Sequence, residues 1–290
     1  MVGLLVATVL VTLSASPQTG PGPASPTPTV EVAAPGDYQL LRLKDGTSAT
    51  GRVEAADERR FTFRTLTNTV LDVEMGEVLS VTPLNGRVVN GEFWPADSNP
   101  TRLFFAPTGR SLEKGEASFG VYQLLMPFVQ YGVTDRLSIG GGAPLMIGAG
   151  DLPVWFTPKF RVANSRSADL SIGVLHVVNM GDDSVGIAYA VATRGTTDAA
   201  FTGGAGYAYS SGDPDRAGAP VVMVGGEKRI SRRLKFVTEN YWFSGAGLVS
   251  GGVRFLGERL SADIAMVTPL GYAESGFIAF PMVNFVWKMH

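Results

Sequence analysis

The sequence predicts an all-β chain: a C-terminal antiparallel transmembrane β-barrel of about twelve strands, ten being the other count, preceded by a small β domain. Three observations carry that expectation. Runs such as "RLSADIAMV" (Arg259–Val267) alternate, with Leu260, Ala262, Ile264 and Met266 against Ser261, Asp263 and Ala265, which is the period of a pleated strand. The faces opposite the apolar ones carry mostly Gly, Ala, Ser and Thr, where a soluble sandwich would place long solvated charges. Charged residues make up 17% of the chain and Gly 36 of its 290 residues, against roughly 25% charged in soluble domains. A net charge of -2 gives no electrostatic footprint for nucleic acid. With no Cys, disulfide and thiolate chemistry are excluded.

In chain order, residues 1–16 read as a signal peptide: "GLLVATVLVTL" (Gly3–Leu13) is an apolar core too short to span a bilayer, followed by the small residues "SASP". No Lys or Arg precedes it. Residues 17–36, rich in Pro, Gly, Ser and Thr, read as a disordered tether. Residues 37–84 hold five short strand signals: the run before "KDG" (Lys44–Gly46), "ATGRVEAA", "DERRFTFRTL", "NTVLDVEM" and "GEVLSV". This pattern resembles the SH3-like and Sm-like small β-barrels, and the resemblance implies a compact, strongly bent barrel. The RNA binding of Sm-like relatives is not carried over, because Arg59 and Arg60 stand among acidic neighbours. They read as a solvated turn.

Residues 85–114 read as a structured linker. "EFWPADSNPTRLFFAPTGRSLEKGE" (Glu92–Glu116) and "FGVYQLLMPFVQYGVTDRLSIGGG" (Phe119–Gly142) resemble the stretch just before and into the barrel of uncharacterised bacterial outer-membrane proteins. That resemblance implies architecture and no activity.

Residues 115–290 form the expected barrel. "DLPVWFTPKFRV", "DLSIGVLHVV", "SVGIAYAVAT", "AFTGGAGYAY", "LKFVTENYW" and "VSGGVRF" alternate between turn signals. Each run is about ten residues, the length of a tilted strand crossing a bilayer. Some eleven strands follow Phe119, and "TRLFFA" (Thr101–Ala106) is the candidate twelfth. In "SVGIAYAVAT" the apolar face is Val185, Ile187, Tyr189 and Val191, read as lipid-facing. Tyr131, Tyr207, Tyr209, Tyr241 and Trp242 near run ends fit interfacial girdles.

The charges within strands fall opposite the apolar faces. Lys159, Arg161, Asp169, Lys235, Glu239, Arg254 and Asp263 are therefore the candidate lumen residues, either lining a channel or pairing and plugging a narrow lumen, with plugging favoured. No catalytic, cofactor or metal site is expected. There are two His, and no carboxylate spacing nominates a metal set. A hydrolase would need His176 as its base; Ser171 falls on the opposite strand face by parity, and Ser184 across the "NMGDD" turn is an example of a serine a nearby strand could supply. "GDPDRAG" (Gly212–Gly218), with Asp213 and Asp215, reads as a plain turn rather than a cation loop.

The expected function is non-enzymatic: a monomeric barrel in outer-membrane lipid that anchors a small periplasmic module, itself a contact for another envelope protein, or forms a narrow passive pore. The alternatives are an outer-membrane hydrolase using His176 and a soluble periplasmic β-sandwich with a binding role.

Overall fold

The computed structural model describes residues 29–30, 37–145, 152–180, 183–211, 218–271 and 278–289. The signal-peptide segment, most of the tether, and Asp213 and Asp215 lie outside the described residues.

The small domain contains β1 (Thr29–Val30), β2 (Gln39–Leu43), β3 (Ser48–Ala56), β4 (Arg60–Thr65), β5 (Val70–Glu74) and β6 (Val78–Pro83), with a 3-10 turn at Met75–Glu77 between the last two. Its sheet order is β1-β6-β2-β3-β4-β5. Alternation sends Leu41, Phe61, Phe63, Val78 and Val81 into one core. Gly51 sits where β3 crosses β4 so closely that a Cβ would lie 2.0 Å from the Arg64 carbonyl oxygen, a backbone approach that only glycine allows. Arg59 and Arg60 donate their amides to Asp57 Oδ1, both at 2.7 Å, in an exposed turn.

A hairpin follows, β7 (Gly86–Val89) and β8 (Glu92–Pro95). Phe93 packs with Leu40 and Leu84 of the small domain. On its other side Arg229 stacks on Trp94 at 5.0 Å and donates to the Pro95 carbonyl at 2.8 Å.

The wall of the large domain comprises β9 (Ala117–Tyr122), β10 (Met126–Gly132), β11 (Leu137–Gly142), β12 (Val154–Phe156), β13 (Lys159–Asn164), β14 (Ala168–Met180), β15 (Asp183–Gly195), β16 (Ala199–Ser210), β17 (Ala219–Ser231), β18 (Leu234–Phe243), β19 (Ala246–Leu256), β20 (Leu260–Leu270) and β21 (Phe280–Met289). β12 and β13 are two halves of one wall position, interrupted at Thr157–Pro158, because both pair with β11 and with β14. β21 pairs with β9 and closes the ring. The result is a closed, antiparallel, twelve-stranded barrel. Closure leaves no sheet edge, the condition for a sheet surrounded by hydrocarbon.

Its outer surface is apolar around the ring. Ile139, Phe160, Ile172, Phe236, Ile264 and Trp287, from six different wall positions, are between 42% and 53% exposed. This face is dry only in a non-aqueous surround, which disfavours the soluble sandwich.

Three expectations are corrected. Residues 101–106 are not a wall strand; the twelfth position comes from the wall itself. On β15 the large face points inward: Val191 is 1% exposed while Ala188, Ala190 and Ala192 face out. Both faces of the run Ser184–Thr193 are free of charge, so alternation alone could not say which side meets the lumen. Tyr241 also points inward, where its hydroxyl donates to Glu239 at 2.8 Å, rather than joining a girdle.

Candidate functional site: a lumen filled by the chain's own connector

Residues 96–112, between the hairpin and β9, enter the barrel. Asp97, Asn99, Thr101, Leu103, Phe104, Ala106, Thr108 and Arg110 are all buried. The segment folds back on itself: the Leu103 amide donates to the Ala106 carbonyl and the Thr108 amide to the Thr101 carbonyl, both at 2.9 Å. Leu103, Phe104 and Ala106 pack against Val191, Met223, Val237 and Ala265 of the wall. Gly109 lies flat on it, where a Cβ would meet the Asp169 carbonyl oxygen at 2.3 Å.

An irregular segment has no ladder for its peptide groups, and a buried peptide group without a partner is costly. The lumen side chains supply the partners. Lys159 Nζ donates to the carbonyls of Thr101, Thr108 and Arg110 at 3.3, 3.1 and 2.5 Å. Arg254 holds Asp263 through two nitrogens at 2.7 and 3.1 Å. It also donates to Asp97 at 3.1 Å, to the Asn99 carbonyl at 2.8 Å and to the Leu103 carbonyl. Glu239 accepts the amides of Phe105 and Ala106, both at 2.9 Å. Thr193 accepts the Gly109 amide at 2.8 Å, and Ser171 donates to the Gly109 carbonyl at 2.7 Å.

Ion pairs complete the seat. Lys235 bridges Asp97 and Glu227, and Arg110 of the connector pairs with Glu227 at 2.6 Å. The buried acids Asp97, Glu227, Glu239 and Asp263 share the space inside the wall with the buried bases Arg110, Lys159, Lys235 and Arg254, and half-buried Arg102 of the connector adds a fifth base. Asp97 belongs to the connector rather than to a spanning strand. Burial pushes its carboxyl up, but Lys235 and Arg254 outweigh this and hold it below the usual carboxylate range.

Of the seven charges read from the sequence, Lys159, Lys235, Glu239, Arg254 and Asp263 contact the connector or a partner that does. Arg161 and Asp169 lie nearer the rim, 3.7 Å apart, with Arg161 donating to the Asp135 carbonyl at 2.6 Å. Sequence reasoning missed Asp97, Arg110 and Glu227. Glu227 sits in the alternating run "VVMVGGEKR", which was a readable signal. Asp97 and Arg110 sit in aperiodic chain, which carried none.

His176 faces outward, Nδ1 3.0 Å from the Tyr209 hydroxyl; the tyrosine ring lies over Gly186. Ser171 points to the lumen, and Ser184 pairs with Ser211 at 2.7 Å. No triad assembles from these residues. Among the described residues no cluster of His, Asp and Glu is placed to hold a metal.

No protein-family model matches the chain, and no curated protein matches it. Solved structures of similar shape include a KdgM porin in complex with disordered oligogalacturonate, 5% identical, covering 60% of this chain and 98% of that one with a TM-score of 0.47. A loop L8 deletion mutant of OmpT, an outer membrane protein of Vibrio cholerae, is 11% identical over 87% of this chain and 96% of that one, with a TM-score of 0.37. The in-vitro folded trimer form of OmpT is 13% identical over the same shares, with a TM-score of 0.33.

Proposed function

We propose that this chain is an outer-membrane barrel closed by its own connector, with no catalytic role, which holds the small 37–84 domain at one face of the membrane. The observation that carries the reading is the seating of residues 96–112, whose peptide groups are matched by charged side chains of the wall. Lumen charges spent on a bound segment are not free to conduct ions.

Orientation follows from connection lengths. At the face bearing the small domain, adjacent strands are joined by 133–136, 165–167, 196–198, 232–233 and 257–259. At the other face three connections are longer: 143–153, 211–218 and 271–279. Short turns face the periplasm in bacterial barrels, which supports a periplasmic small domain. We further propose it as an SH3-like module that meets another envelope component.

The test is single-channel conductance in a planar bilayer, after heat-modifiable gel mobility has established folding. The full chain is expected to be silent, and a variant with residues 98–109 replaced by a Gly-Ser chain is expected to give discrete steps. Discrete steps from the unaltered chain would overturn the closed-lumen reading in favour of a narrow passive pore.

A further inference from the structure

The half of the lumen beyond the connector has a different chemistry. A cavity of about 390 Å³ lies there, floored by Phe105, Ala106 and Pro107 and walled by residues such as Ile187, Tyr189, Met223, Leu248, Val267 and Met282. The carboxylate and amide groups that border it are already engaged. Glu239 takes the Phe105 and Ala106 amides on one oxygen and the Tyr241 hydroxyl on the other. Asn284 donates to the Phe104 carbonyl at 3.3 Å. The cavity therefore presents methyl groups, thioethers and ring faces.

An apolar cavity of roughly 150 Å³ in another protein stays dry and binds benzene, and ligand pockets start at roughly 300 Å³. This one is in that range. Along β18 it runs from Glu239 past Tyr241 to Phe243, roughly 13 Å at the rise of a strand. That depth leaves a mean section of roughly 30 Å², room for one chain rather than a folded bundle.

One further observation points to a route. The wall is low beside Tyr122, which borders the cavity. β9 and β10 turn back at Tyr122 and Met126, whereas β21 continues past Asn284, the partner of Tyr122, to Phe280. The turn at that low point carries Leu124 and Leu125, each 60% exposed, instead of polar turn residues.

We propose that this cavity binds a single hydrocarbon chain, its uncharged part inside, which enters across the low wall at β9–β10. The chain lies against Met223, Tyr241 and Met282. This goes beyond the closed-barrel reading and needs only the connector as floor. Conductance does not bear on it, so either idea can fail alone.

The test uses the full chain in phosphatidylcholine vesicles with a diazirine-bearing decanol, photolysis and peptide mapping by mass spectrometry. Label is expected on the inward residues Met223, Tyr241 or Met282, with loss of that label in excess unlabelled decanol and in Val221→Trp, which narrows the cavity. Label on outward Val222 and Trp242 is expected to persist and serves as the internal reference. A second arm replaces decanol by a phosphatidylcholine with the diazirine in its tail. Inward label from that probe assigns the chain to membrane lipid; its confinement to outward positions, with decanol inside, assigns a free amphiphile. If neither probe marks an inward position, or inward decanol label survives competition, the proposal is overturned. Should Val221→Trp not fold, competition in the unaltered chain still decides.

Discussion

Arg254 shows at one residue why the lumen charges exist. It is fully buried and shares its donors between Asp263 on the wall and Asp97, Asn99 and Leu103 on the connector. Removing one member of a buried charge pair leaves the other uncompensated, at about 3–5 kcal/mol. Arg254→Met is therefore expected to lower the temperature at which the barrel loses its folded gel mobility. Asp97→Asn should do so less, because Lys235 keeps Glu227 and Arg254 keeps Asp263. The sign of the pH effect follows from Asp97. Its folded carboxyl titrates below the usual range, so its contribution is complete above the unfolded value of about 3.9 and is lost only as pH falls through the lower folded value. The temperature gap between the unaltered chain and Asp97→Asn should stay constant from neutral pH down to about 4 and close only in stronger acid. A gap that closes between pH 7 and 5 would contradict the pairing.

Among elements, the connector is the one that sequence patterning could not place. Wall strands announce themselves by period, and Lys159, Lys235, Arg254 and Asp263 were readable as inward because each interrupts an apolar alternation on the opposite face. "TRLFFAPTG" has apolar residues without a period, and its destination depends on partners more than a hundred residues away, such as Glu239 and Arg254. The sequence leads one to expect a lumen filled by paired side chains; a backbone segment occupies it as well, its peptide groups matched by Lys159, Glu239 and Arg254. β15 was misread for a related reason: alternation says that two faces differ, not which one meets the lumen. Gly109 gives the sharpest test of how the connector seats. Even Gly109→Ala brings a methyl against the Asp169 carbonyl and the Thr193 amide. It is expected to destabilise the barrel by about 1–3 kcal/mol, as overpacking does, and to raise the frequency of conducting events in a planar bilayer. Gly76, which has open space around the same position, is the control; Gly76→Ala should leave conductance unchanged.

At the scale of the molecule, the lumen is divided along its axis. The half toward the small domain is polar, carries buried charges of both signs and is occupied by residues 96–112; the other half is apolar and holds the cavity. The small domain sits outside this division. The hairpin joins both sides, through Phe93 to Leu40 and through Pro95 and Trp94 to Arg229. Removal of residues 1–84 is therefore expected to leave folded mobility and electrical silence intact, because the wall groups that seat the connector lie in 117–290 and the Asn85 carbonyl, which accepts the Ala96 amide, is retained. A truncated chain that conducts would instead make the small domain part of the seal. The fold class was legible in the residues; the connector's place required the long-range pairing that only the folded chain displays.

The most direct measurement exploits the absence of cysteine. Thr108→Cys places one thiol at a fully buried connector position, and Lys114→Cys places one at an exposed position six residues on. Both proteins, folded in vesicles, are treated with a polyethylene glycol maleimide and followed by gel shift. The expected result is fast labelling at position 114 and protection at 108 until the barrel is unfolded. Equal, fast labelling at both would mean that residues 96–112 are a surface linker and that the lumen is not closed by them.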